Sequence, residues 1–168
     1  LMLWGLPPAS DLHGVMGADL LTTVLAEGRR SRLVERLREQ LRIVESIDLD
    51  LHVMESGSFA LLEAICEADE LGAVHRAIAQ VWAELQEQGL TKLEWLRAQR
   101  LVANGYRFGL EAAGGLAGLI GNNRLWGRHQ ALALPLAEIE SWSSQDLLGQ
   151  VVPLLDPSRA CVLEAVPA

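Results

Sequence analysis

The chain has 168 residues, 50% of them apolar and 21% charged, with a formal charge of -8. That much apolar material excludes disorder, no apolar run reaches the roughly 18 residues of a membrane span, and the first residues lack the layout of a signal peptide. The acidity argues against nucleic acid as the main partner, because phosphate binding needs a basic surface. One soluble domain over residues 1–168 is expected, its compartment open but with the cytoplasm favoured over the periplasm. Cys66 and Cys161 allow at most one internal bridge. The apolar start at Leu1-Met2-Leu3-Trp4 suggests a piece of something longer.

Leu1 to Leu6 reads as a buried strand stopped by Pro7-Pro8. Leu12, Val15, Met16, Leu20, Val24 and Leu25 then recur at helical steps, with Ser10 or Asp11 as cap and Gly28 as stop. A second helix is expected from Ser31 to Leu41, with Leu33, Leu37 and Leu41 on one stripe. Ile47, Leu49, Leu51 and Val53 alternate with polar residues, the period of a strand with one dry face. After the turn-like Glu55-Ser56-Gly57-Ser58, Phe59 to Cys66 is the returning strand of a hairpin, apolar on both faces except at Glu63.

Glu70 to Gln88 is an amphipathic helix stopped by Gly89, and Thr91-Lys92-Leu93-Glu94 has the spacing of a capping box that opens another helix reaching about Phe108. Gly109 to Gly127 contains six glycines yet keeps a helical rhythm; Gly114 and Gly118, four apart, are expected to admit a closely packed neighbouring helix. Pro135 opens a short helix, Ser143 or Ser144 caps another that reaches Pro153, and Ala160 to Val166 is a final strand. The order predicts an α+β fold: an antiparallel sheet of about four strands with helices mainly on one face.

The chemistry is sparse. His13, His52, His75 and His129 have no histidine or cysteine three to five residues away, so no metal site is expected. His52-Val53-Met54-Glu55-Ser56 has the spacing of an inverted zinc motif, but its residues alternate along a strand instead of sharing a helical face. No nucleophile elbow, phosphate loop or dinucleotide fingerprint is present. Between Arg29 and Arg42 lie six arginines against Glu35 and Glu39, a +4 island in a chain that carries -12 elsewhere. These guanidinium groups either grip carbonyls and carboxylates of a ligand or form a solvated, ion-paired helix face.

Gly28-Arg29-Arg30-Ser31-Arg32-Leu33-Val34-Glu35-Arg36-Leu37-Arg38-Glu39 resembles the G-x-x-S-R-L-x-x-x-L-R-E segment of the pitrilysin/insulinase family of zinc metallopeptidases, which includes the mitochondrial processing peptidases. Gly57-Ser58-Phe59, the stretch Gly89 to Ala98, and the ending Pro157 to Pro167 are similar to further segments of that family, in the same order. The resemblance implies an antiparallel sheet with helices on one side, and two such domains facing each other around a substrate chamber. It implies that zinc, held by H-x-x-E-H and a distal glutamate, belongs to a partner domain, because this chain matches the second half of a family domain and lacks the motif. It further implies that Arg38 stands where the family's second half places a substrate-contacting arginine. Seven residues on, Glu45 replaces the family's tyrosine, and Arg42 replaces the glycine between them. An ionised glutamate donates no hydrogen bond to an oxyanion, which counts against catalysis. No catalytic or metal residue is therefore expected here; Arg38 and Glu45 are the candidate substrate-binding residues, peptide the substrate, and a zinc-bearing peptidase domain the partner. A structural or assembly protein of the same descent, and a small anion or nucleic-acid binder using the basic helix, remain the alternatives.

Overall fold

The structure, a computed structural model, describes residues 1–127 and 131–166. His129 and Pro167 lie outside the described residues. Four strands, β1 (Met2–Leu6), β2 (Ser46–His52), β3 (Ser58–Ile65) and β4 (Cys161–Val162), form an antiparallel sheet in the order β2-β3-β1-β4. The expected hairpin is β2–β3, in register from Ser46 opposite Ile65 to His52 opposite Phe59. The helices are α1 (Leu12–Ala26), α2 (Leu71–Gln88), α3 (Lys92–Glu111), α4 (Ala113–Leu125), α5 (Leu134–Ser141) and α6 (Ser144–Gln150), as expected from the period of their apolar residues.

One sheet face is dry. Met2, Trp4, Leu6, Ile47, Leu49, Ala60 and Leu62 alternate along their strands, so the pleat sends them to the same side, against Leu20, Val24, Leu25 and the inner stripe of α2. Trp4 and Trp82 stack with ring centroids 6.0 Å apart, and the Trp4 indole N–H donates to the Asp156 carbonyl at 2.8 Å, tying the first strand to the end of the fold. The opposite face is open: Leu3, Asp48, Asp50, His52, Glu63 and Cys161 are on it and reach solvent. Glu63 is thus on a central strand, opposite Asp48, and its exposure comes from the open face instead of a sheet edge.

Local signals operate where expected. Asp11 caps α1 by accepting from the Gly14 N–H at 2.9 Å, and Thr91 and Glu94 make both bonds of the capping box at α3. Gly89 ends α2 at φ 71, a conformation that suits a residue without Cβ.

Three expectations are corrected. The segment after Ser31 winds as a π-helix over Val34–Gln40, with the Leu41 N–H bonded to the Arg36 carbonyl at 2.9 Å. The wider winding breaks the stripe: Leu33 and Leu37 are fully buried, whereas Leu41 is 48% exposed. Gly114 and Gly118 meet no neighbour, since a Cβ at either would find nothing within 4 Å; close approaches occur instead at Gly115, against the Gly109 carbonyl, at Gly17, against the Trp142 ring, and at Gly14, against the capping Asp11 carboxylate. Finally, β4 is two residues long, because Ala160 still belongs to the preceding turn through its bond to the Pro157 carbonyl; beyond it Leu163 extends the pairing, its N–H donating to the Leu1 carbonyl and its carbonyl accepting from the Leu1 amino group.

Candidate functional site

The basic segment begins where α1 ends. Gly28, at φ 74, reverses the chain, and its carbonyl accepts from both the Ser31 N–H (3.0 Å) and the Ser31 hydroxyl (2.6 Å). Leu33 and Leu37 then anchor the π-helix in the core, which sends the arginines outward. They divide into two groups.

Arg32 is a structural clamp. Its guanidinium donates to both carboxylate oxygens of Glu94 (2.7 and 3.1 Å) and to the Gly89 carbonyl (2.6 Å), joining the π-helix to the start of α3 and the end of α2. Burial pushes the Glu94 carboxyl up, but hydrogen bonds from Arg32 and Thr91 and the guanidinium charge outweigh it and bring its pKa down to about 2. Arg36 reaches both oxygens of Glu84 on α2 at 2.9 Å, and Arg29 lies 3.5 Å from Glu39 at the surface. Arg30, Arg38 and Arg42 are exposed, with no ion pair among the described residues. The ion-paired helix face is thus seen at Arg29, Arg32 and Arg36.

Arg38 projects from the π-helix, which packs against β2. Arg42 has φ 58, the left-handed region that favours glycine, so the arginine stands at a strained position. Glu45 leads into β2; its N–H bonds to the Ile65 carbonyl at 2.7 Å and its side chain is exposed. No ion pair joins Arg38 to Glu45 among the described residues. Beyond Glu45 runs β2, whose one partner among the described strands is β3, leaving its outer edge without a ladder. The His52 ring stacks on Phe59 (centroids 4.6 Å apart, planes at 18°) at the far end of this strip. An unladdered edge flanked by exposed charges can pair with an extended peptide backbone.

The residues do not fit a zinc ion. Among the described residues no three of His, Cys, Asp and Glu stand close enough to hold a metal. His52 closes β2 and Glu55 lies in the hairpin turn, so the motif-like spacing brings no ligand set together.

Residues 1–102 match the family described as the peptidase M16 inactive domain. The chain belongs to that family. An uncharacterized zinc protease of Mycobacterium tuberculosis is 25% identical over 130 residues, covering 77% of this chain and 30% of that protein. The chain thus spans about a third of the length of that curated relative. An inactive peptidase domain from Bordetella parapertussis has the same fold, with a TM-score of 0.86 at 15% identity over 99% of this chain and 91% of that one. A protease from Helicobacter pylori follows with a TM-score of 0.84 at 17% identity, over 95% of this chain and 38% of that one. This M16 inactive domain has the α+β architecture of those structures. Among its described residues no helix is long and apolar enough to cross a membrane.

Proposed function

We propose that this M16 inactive domain, residues 1–168 as one unit, is the non-catalytic half of a zinc-peptidase assembly and forms one wall of the chamber that holds the peptide. The observation that carries the reading is the unladdered edge of β2, which ends at the His52–Phe59 stack and lies on a strand that the π-helix of Arg38 packs against; Arg38 itself is exposed, with no ion pair among the described residues. An extended substrate would add its backbone to that edge, and Arg38 would hold a substrate carbonyl or carboxylate through its planar fork. Glu45, next to the strand's start, would select against acidic peptide side chains. In this reading the zinc ion and the water it activates belong to the partner half, since among the described residues of this chain no three of His, Cys, Asp and Glu stand together to hold a metal.

The reading is tested by substituting Arg38→Ala and Arg38→Lys in the assembled peptidase. Losing one charge-assisted contact should lower kcat/KM about tenfold, with Lys restoring only part of it. Unchanged kinetics in both variants would remove Arg38 from the chamber wall. Glu45 in the place of the family's tyrosine favours a second reading, in which the domain is an assembly element with no peptide contact; that reading predicts unchanged kinetics for Arg38→Ala and for Glu45→Gln.

A further inference from the structure

On the helical side, away from the open sheet face, α1, α3 and α5 enclose a cleft of about 350 Å³. Its floor is α1 and the residue that ends it: Asp19 and Thr23, four apart, lie one turn above the other on the same face, and Glu27 follows at the C-terminal cap. Met16, Leu101 and Ile139 make the walls apolar, and Gly105 on α3 leaves the mouth open, because a Cβ there would meet nothing within 4 Å. Asp19 sits between the fully buried Ala18 and Leu20, lines this cavity, and has no donor to its carboxylate among the described residues. Burial, with the charge of Glu27 added, raises its pKa to about 6.

The other titratable groups facing the cleft do not answer Asp19. Glu27 on α1 is a second acid. Tyr106 on α3 spends its proton on the Leu132 carbonyl at 2.7 Å, which leaves its oxygen as an acceptor. Arg97, at the outer end, donates to the backbone carbonyl of Glu27, and α5 contributes only apolar Ile139. The last turn of α1 has no basic residue on it, so the helix dipole adds negative potential at that end. None of the described residues that line the cleft is a cation; Arg97 stands outside the lining, on the Glu27 carbonyl. A carboxylate held against apolar walls without a partner costs stability that a bound cation would restore. The Asp19 and Glu27 side chains leave the backbone eight residues apart, which is about 12 Å along a regular helix. Among the described residues no further ligating side chains join them to hold a metal ion. The spacing suits an extended ligand with a positive charge at each end.

We propose that the α1–α3 cleft is a binding site for a linear aliphatic diamine or polyamine. One ammonium sits at Asp19, another at Glu27, and the carbon chain lies along Met16 and Leu101. The site stands independently of the peptidase reading, since no residue that lines it belongs to β2 or to the basic segment.

Titration of the 168-residue chain with 1,5-diaminopentane, spermidine and n-butylamine, followed by calorimetry and by backbone amide NMR, tests it. Saturable binding is expected, with amide shifts confined to α1 and α3 and with the diamine or spermidine at least about tenfold tighter than butylamine. Asp19→Asn should weaken binding about tenfold or more, and lowering the pH from 7.5 to 5 should do the same, since Asp19 protonates on passing below about 6. Gly105→Leu, which fills open space at the mouth, should block binding while keeping the melting temperature, and so decides the matter if Asp19→Asn fails to fold. Glu63→Gln, on the open sheet face, should change nothing. Absence of saturable binding, equal affinity for mono- and diamines, or unaltered binding in Gly105→Leu would overturn the proposal.

Discussion

Glu94→Gln separates the Arg32 clamp from the helix cap that shares its carboxylate. The glutamine oxygen can still accept from the Thr91 N–H, so the capping box survives in part, while the charged fork to Arg32 is lost. In the folded protein the carboxyl titrates at about 2 against an ordinary value of 4.5. At about 1.4 kcal/mol per unit, that difference corresponds to roughly 3.5 kcal/mol of preference for the ionised form. The side chains of Arg32 and Glu94 are 17% and 25% exposed, so solvent screening reduces the expected loss to about 2 kcal/mol. Because the folded pKa is depressed, the stabilisation is complete above about pH 4.5 and disappears as the pH falls toward 2. Urea denaturation at pH 7 should show a midpoint lowered by about 1 M for a slope near 2 kcal/mol/M. At pH 3 the gap between the two proteins should have narrowed by more than half. A loss below about 0.5 kcal/mol at pH 7, or a gap that does not narrow in acid, would refute the role given to the clamp.

Arg42→Gly should raise stability by about 1 kcal/mol, seen as a melting temperature higher by a few degrees, because it relieves a side chain held at φ 58. Gly17→Ala should cost about 1 to 3 kcal/mol, since the new Cβ would fall 2.5 Å from a Trp142 ring carbon whose position is fixed by the indole bond to the His13 carbonyl. Gly114→Ala and Gly118→Ala, by contrast, should be neutral or stabilising by about 0.5 to 1 kcal/mol each, as helix propensity alone decides in open space. Thermal unfolding of the three glycine variants side by side distinguishes the outcomes.

The strands and long helices were legible because one pattern, the spacing of apolar residues, determines both element type and buried face: Ile47 and Leu49 on β2 and Val74, Ile78 and Leu85 on α2 are buried as their periods require. The α3 start was legible because a capping box is local chemistry. What escaped depends on partners distant in sequence. The π winding at Val34–Gln40 accompanies burial of Leu37 and the pull of Arg32 and Arg36 toward Glu94 and Glu84, 62 and 48 residues away. Small residues four apart look the same whether a neighbour packs on them or not, which is why Gly114 and Gly118 misled and Gly17, facing Trp142, gave no sign. Arg38 was visible only by resemblance to a family segment, whereas Asp19 showed no signal beyond being an acid inside an apolar helix.

Peptide hydrolysis by the zinc-bearing partner that the proposed function requires, measured with a quenched fluorescent peptide in the presence and absence of this chain, bears most directly on the role of the domain. A non-catalytic chamber wall requires that this chain alone is inactive with or without zinc, that the zinc-bearing half alone turns over slowly, and that combining them raises turnover by at least about tenfold. Equal turnover with and without this chain, or hydrolysis by this chain alone, would contradict it.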